Sequence, residues 1–425
     1  MNRRSFLHSS LTAAAPAIAG AQKAPKYRTA LIGTGWWGMN ILNAAMATRE
    51  CQVVALCDVD ENQIGPAAED VTKKSGDQPK KYQDYRELLA KEQVDIAIVA
   101  TPDHWHPLCM IEAVRRGAHV WVEKPIGHTV LEGRAMVNAA RAARRVVQVG
   151  THRRVSPHNL SGMKFLKEGR AGKIGMIRCF VHSAGGAGEP APETEPPASL
   201  NWDFWCGPAP KRPFNKTIHP RGWRNYLGFA NGTLGDWGIH WMDQVLWWTD
   251  QKWPRRISST GGRFIRQDSA DAPDTQVVHW EFDGFTCVWE HRRYGGNNAE
   301  KHPLGAYFYG TKGTFHMGWR DGWTFYPSGK GEPVRHEDPV LHTTDSHNIP
   351  ELFADFLESI RSGRMPVCDI EIGHRSTNCA LLGMLSWKLG RSIEWDGGSE
   401  QCAGDPEANK LLRRDYRSPW KYPSA

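Results

Sequence analysis

No segment of this sequence is long and apolar enough to span a bilayer, so membrane insertion is not expected. The nine cysteines form no C-x-x-C pair and follow no metal-ligand spacing. That argues against a structural zinc site, and the count is low for a scaffold that depends on disulfides. Cys57 sits in an apolar strand pattern, where cysteine acts as a small hydrophobe. There is also no concentrated basic face. The formal charge is +7, but Lys and Arg are scattered, and Arg144-Arg145 and Arg153-Arg154 are only pairs. Nucleic-acid binding needs such a face, so no nucleic-acid partner is expected. Low-complexity tracts are missing as well. At 425 residues, 40% hydrophobic and 23% charged, the chain can bury a core in each of two or three domains.

The first residues are read as an address. Arg3 and Arg4 precede Ser5-Phe6-Leu7, a mildly apolar stretch runs from Leu11 to Gly20, and Ala19-Gly20-Ala21 supplies small residues for cleavage. The paired arginines with Phe6-Leu7 point to the twin-arginine route. Pro16 and the strand-like sequence from Tyr27 onward disfavour a buried N-terminal helix instead. The expectation is a signal over 1–21, removed to leave a protein of charge +5 in the periplasm. Export in the folded state suits an enzyme that must trap its cofactor beforehand.

From Lys26 to Gly150, short β-branched runs alternate with helical patterns. Tyr27–Ile32, Gln52–Cys57, Ile96–Ala100, His119–Val122 and Val146–Val149 read as strands. Trp36–Thr48, Tyr85–Lys91, Leu108–Arg116 and Val130–Arg144 read as helices. This alternation predicts βαβ units around a parallel sheet, a Rossmann domain over 22–150. The first strand runs into Gly33-Thr34-Gly35-Trp36-Trp37-Gly38, and Asp58 ends the second strand 20 residues after Gly38. Gly33 permits the tight turn, Gly35 lets the backbone approach a pyrophosphate, and Gly38 lets helix and strand pack closely. The helix N-terminus around Trp36 and Trp37 offers N–H groups and a favourable dipole to phosphate. Asp58 would accept from the adenosine ribose hydroxyls and repel a 2′-phosphate, which favours NAD over NADP.

Two further strand ends face the same crevice. One runs into Thr101-Pro102-Asp103-His104-Trp105-His106, the other into Glu123-Lys124-Pro125. Ligands bind beyond the carboxyl ends of such strands, so Thr101, Pro102, His104, His106, Glu123, Lys124 and Pro125 are candidate cofactor neighbours. Lys124 is placed to face the nicotinamide; for His104 and His106, packing or a helix start fits equally well.

Together with Gly235-Asp236-Trp237-Gly238-Ile239-His240, these motifs resemble the family of glucose–fructose oxidoreductase, inositol dehydrogenase and MocA. The resemblance covers Lys26 to about Trp395. It implies an α+β second domain with an open, largely antiparallel sheet that often mediates oligomerisation, here a homodimer or tetramer. The sequence agrees: Met176–Ser183, Arg256–Phe264, Thr275–Phe282, Thr286–Arg292, Ala306–Tyr309 and Gly313–Met317 read as strands. Asp283-Gly284 is a hairpin turn, Gly185–Pro197 a loop, and Ile349–Ser362 and Glu371–Leu389 are helices. This domain is set at 151–395, with 396–425 as a tail. The family's catalytic trio would map onto Lys124, Asp236 and His240. Asp236 and His240 lie four residues apart, one helical face if the helix begins near Asp236. A helix over Gly238–Thr249 capped by Asp236 is the competing assignment, and capping is compatible with catalysis.

The expected chemistry is hydride transfer between the nicotinamide and a hydroxyl or ketone carbon of a sugar or cyclitol. Asp236 would orient His240, and Lys124 would hydrogen-bond the carbonyl oxygen. Aromatic faces stack on sugars, so some of the 19 tryptophans are candidate platforms, among them Trp202, Trp205, Trp223, Trp237 and Trp241. Trp223, Arg224 and Tyr226 form the favoured substrate cluster, with Arg153 beside it. A glycoside hydrolase or lyase that recycles bound NAD is the alternative, and a non-catalytic dinucleotide and sugar sensor is a third.

Overall fold

The structure is a computed structural model, and it describes residues 26–297, 299–341 and 348–423. The expected signal, 1–21, lies outside the described residues. In the front half, β1 (Tyr27–Ile32), β2 (Cys51–Cys57), β3 (Lys80–Tyr82), β4 (Ile96–Val99), β5 (His119–Val122) and β6 (Val147–Val149) form one sheet. Its order is β3-β2-β1-β4-β5-β6, and all its pairings are parallel. The helices are α1 (Trp36–Ala47), α2 (Glu61–Ser75), α3 (Tyr85–Lys91), α4 (His106–Arg115) and α5 (Val130–Ala143). β4 is buried at every residue, as a strand covered on both faces must be. Strand order reverses between β1 and β4, which opens a crevice at their carboxyl ends. α2 and β3 were not legible in the sequence. α2 carries Gly65 and Pro66 inside it and buries only Ile64, Ala67 and Val71.

The second half is a ten-stranded sheet. Its strands are β7 (Ile174–His182), β8 (Arg256–Gly262), β9 (Thr275–Phe282), β10 (Phe285–Arg292), β11 (Leu304–Gly310), β12 (Gly313–Met317), β13 (Trp323–Pro327), β14 (Arg335–Glu337), β15 (Ile393–Asp396) and β16 (Gln401–Cys402). They run in the order β14-β13-β12-β11-β7-β10-β9-β8-β15-β16. Among the described residues only the β7–β10 pairing is parallel. The β9–β10 hairpin turns at Asp283-Gly284, where Gly284 adopts φ +85° as a tight hairpin requires. The helices here are α6 (Pro157–Lys167), α7 (Trp202–Cys206), α8 (Ile239–Thr249), α9 (Ile349–Ser362), α10 (Ile370–Leu389) and α11 (Pro406–Lys410). α6, α8 and α10 share one core with the inward residues of the sheet. The opposite face carries Met176, Arg178, Glu290, Tyr307 and Tyr309, all at least partly exposed.

Two features tie the halves together. Helix α9 belongs to the front core: Phe353 stacks on Trp121 of β5 at 5.6 Å, and Phe356 meets the same ring edge-on at 6.3 Å. Residues 396–423 are built into the molecule. Glu132 of α5 accepts hydrogen bonds from Arg414 Nε (2.9 Å) and Tyr416 Oη (2.7 Å), and Trp420 packs edge-on against Trp105 at 4.7 Å.

Candidate active site

The crevice at the carboxyl ends of β1, β2 and β4 is a cleft of about 250 Å³. Its floor is the glycine turn. Gly33 sits at φ +96°, and a Cβ there would lie 2.6 Å from the Ala100 carbonyl oxygen. A Cβ on Gly38 would lie 2.1 Å from the Gly33 oxygen, so only glycine lets α1 approach β1. Gly35 differs, because a Cβ there would meet nothing within 4 Å. It occupies the N-cap of α1 with no side-chain cap, so the helix end is left for a ligand. Asp58 Oδ2 accepts from Thr34 N (2.8 Å) and Thr34 Oγ1 (3.0 Å), and Oδ1 from Asp60 N (3.1 Å). Burial pushes its carboxyl above the usual range, and the Thr34 N–H opposes that rise. Trp36, 55% exposed, and Trp37 form the wall beside the turn, their rings 5.3 Å apart. Thr101 also lines the cleft, and among the described residues its buried Oγ1 has no hydrogen-bond partner.

At the other end stands Lys124. Its Nζ donates to Asp236 Oδ1 (2.7 Å) and to the Asp236 carbonyl oxygen (2.8 Å), and Arg224 Nε donates to the same Oδ1 (3.1 Å). Burial alone would raise the Asp236 carboxyl, but the Lys124 and Arg224 cations hold it well below the carboxylate range. Asp236 lies in a wide π-type turn, Leu234–Gly238, that leads into α8. It is therefore no N-cap. Asp236 Oδ1 accepts from both Lys124 and Arg224, and His240 also helps to lower the carboxyl. His240 is 6% exposed, with Trp319 at 4.9 Å and His152 at 5.6 Å between ring centroids. Glu123 is buried beneath. Desolvation raises its carboxyl, and hydrogen bonds from Trp121 and Trp37 offset part of the rise.

The segment from Ser199 to Arg224 roofs the cleft. Asn201 N donates to the Val59 carbonyl (3.0 Å), Glu61 N to the Ser199 carbonyl (3.0 Å), and His219 Nε2 pairs with Asp60 Oδ2 (2.8 Å). Phe204, Trp205, His219, Arg221, Trp223 and Arg224 thereby line the cleft opposite the Rossmann strands.

Residues 27–151 match the description "Oxidoreductase family, NAD-binding Rossmann fold", and 185–422 match "Oxidoreductase family, C-terminal alpha/beta domain". The chain belongs to the Gfo/Idh/MocA family. Its front domain is an NAD-binding domain, and the open helix end at Gly35 and the orphaned Thr101 hydroxyl fit that ligand. Over 122 residues the chain is 37% identical to a glycosyl hydrolase family 109 protein of Saccharopolyspora erythraea, covering 28% of this chain and 27% of that one. An alpha-N-acetylgalactosaminidase of Shewanella oneidensis is 25% identical over 158 residues, 36% of this chain and 34% of that one. The chain thus spans only about a third of the curated relatives it matches. In fold it is similar to the WlbA dehydrogenase of Bordetella pertussis, solved with NADH and UDP-GlcNAcA: TM-score 0.63, 19% identity, 87% and 99% coverage. It is similar also to an aldose-aldose oxidoreductase of Caulobacter crescentus: TM-score 0.64, 19% identity, 87% and 99% coverage.

Within this family fold, several expected neighbours lie elsewhere. His104 does not line the cleft: it is fully buried, with Nε2 2.9 Å from the Trp205 carbonyl, and burial pushes its imidazole down to about 3. His106 lines the cleft, but its ring bridges the carbonyls of Pro125 and Thr101 at 2.8 Å each, tying two strand ends together. Pro125 contributes that carbonyl from below the cleft. Tyr226 is 2% exposed, with its hydroxyl on Thr217 and Arg212 over its ring at 4.6 Å, so it is a core residue. Arg153, 1% exposed, lies over the Trp319 ring at 3.7 Å in the His240 neighbourhood and outside the cleft lining. Trp241 is fully buried, and Trp202 is stacked on Trp205. Asp103 was overlooked in the sequence. It lines the cleft at 2% exposure, and burial pushes its carboxyl up to about 8. Its signal was its place in the Thr101–His106 segment. His219 and Arg221 carried none, because only the folded roof brings them over the turn.

Proposed function

We propose that this protein is an NAD-dependent oxidoreductase acting on a hydroxyl-bearing carbon of a sugar or sugar derivative. The observation that supports this best is Lys124, which lines the NAD cleft and pairs with Asp236. Bound NAD supplies the hydride acceptor or donor. The protein handles the proton and the orientation. Asp236 fixes the Lys124 ammonium through two hydrogen bonds, so Nζ can donate to the substrate oxygen as it gains carbonyl character. His240 takes the hydroxyl proton as general base, its ring held among Trp319, Trp237 and His152. Trp223, with Arg224 4.1 Å above its ring, offers a sugar a rigid aromatic face at the cleft wall.

A redox-neutral variant of this chemistry, cleavage of a glycoside with the nucleotide recycled in place, is favoured by the names of the sequence relatives. The roof over the cleft suits it, since a retained nucleotide needs no external partner. Incubation of purified protein with aryl glycosides, without added nucleotide, separates the two. Phenol release assigns the cleavage. A sugar-dependent change in nicotinamide absorbance without phenol release assigns the dehydrogenase. Absence of both, in protein shown to hold nucleotide, sinks the enzyme reading in favour of a sensor. The Arg3-Arg4 leader supports a periplasmic address, and the exposed sheet face supports a homo-oligomer.

A further inference from the structure

Three side chains from one short stretch of the chain meet on the face of the large sheet that carries Tyr307. His302 precedes β11, His316 lies on β12, and Asp321 lies in the connection to β13. Each offers a ligand atom, and these atoms all lie within 4.8 Å of one another. His302 Nδ1 is 2.7 Å from Asp321 Oδ2. The rings of His302 and His316 stack at 3.8 Å with a 21° tilt.

The state of His316 is what calls for a ligand. Its exposure is 0%, and among the described residues neither ring nitrogen has a hydrogen-bond partner; His302 Nε2 has none either. A buried polar atom left unsatisfied is costly. Folded proteins fill such positions with protein groups, water or an ion. Space is reserved there as well. A Cβ at Gly305 would lie 2.5 Å from His316 Nε2, so glycine keeps the approach to that nitrogen clear. A Cβ at Gly318 would lie 1.7 Å from Asp321 Oδ1, so a second glycine makes room for the carboxylate.

We propose that His302, His316 and Asp321 bind a divalent transition metal, zinc(II) in the first place, on the sheet face and apart from the NAD cleft. Two imidazoles and one carboxylate match the N and O preferences of zinc, with a fourth position left for water. The ion must lie in the plane of each ring, so the stacked pair separates on binding. His302, whose side chain is 12% exposed, is the one with room to turn. A neighbouring cluster on the same face, His182, Glu290 and Glu300, makes a useful contrast. Arg178 pairs with both of its carboxylates, and Arg292 lies 3.3 Å from Glu300. Those acids are already neutralised, whereas no arginine or lysine pairs with Asp321 among the described residues.

The test uses the full chain, stripped with chelator and titrated with zinc(II) or cobalt(II). The wild type is expected to take up one ion per chain, with a tetrahedral cobalt spectrum. His316→Ala and His302→Gln should each weaken uptake by roughly 100-fold or more. Gly305→Ala, which keeps all three ligands, should weaken it by crowding Nε2. Bound nucleotide content reports that each variant is folded, and it should not change. No saturable uptake by the wild type, or undiminished uptake in folded His302→Gln, overturns the proposal.

Discussion

Lys124 and His240 reach their positions by different means. Lys124 is delivered by a buried strand and held by two oxygens of Asp236, while His240 is packed by aromatic rings. Lys124→Met and His240→Ala are expected to lower turnover about 10²–10⁴-fold, the usual reach of general acid–base catalysis, while nucleotide stays bound. Turnover at the wild-type rate in either variant would remove that residue from the mechanism. Asp103 gives a prediction of the opposite kind. Its carboxyl, near 8 in the native protein, titrates near the ordinary value of about 3.9 once unfolded. Between those values the native state binds more protons than the unfolded state, so Asp103 lowers stability as pH rises. Asp103→Asn should therefore match the wild type at pH 4 and exceed it increasingly toward pH 8 in thermal melts. A gain that does not change with pH would show that Asp103 is ionised in the native state. Only the place of Asp103 in the Thr101–His106 segment was legible, because its character comes from burial beside Asp236, a residue more than a hundred positions away in the chain.

At the scale of elements, the roof over the cleft matters most. Residues 199–224 are pinned to the start of α2 by two backbone bonds and the His219–Asp60 pair. Loss of a charge-assisted hydrogen bond costs about 1.5–3 kcal/mol. His219→Ala should thus speed nucleotide release by roughly tenfold or more, read as a chase with competing nucleotide. Unchanged release would mean that the roof does not gate the cleft. The strands that end at Gly33, Asp58, Thr101 and Lys124 were legible because each is a short apolar run closed by its own motif. The π turn at Leu234–Gly238 was not, since a helix with one wide turn has the same residue pattern as one without. It nonetheless decides that Asp236 serves Lys124 and Arg224 and caps nothing.

For the whole molecule, the proposed homo-oligomer would use the sheet face with Met176, Tyr307 and Tyr309, which is partly exposed. Met176→Glu together with Tyr309→Arg is expected to shift the protein to a monomer in solution scattering, with bound NAD retained. An unchanged scattering mass, or a wild type already monomeric at micromolar concentration, would place the interface elsewhere or nowhere. Helix α9 shows what a linear division of the chain leaves out. Its Phe353 and Phe356 complete the core under Trp121, so the front domain is finished by residues more than 190 positions beyond Gly150. By itself the sequence determined the Rossmann domain, its NAD turn and the lysine at the strand end, because strand periodicity, glycine conformation and motif spacing are local properties of a chain. The tertiary structure alone decided which side chains share a site. The partners of Lys124, the raised carboxyl of Asp103 and the roof residues His219 and Arg221 all depend on distance, desolvation and charge between segments that no local pattern brings together.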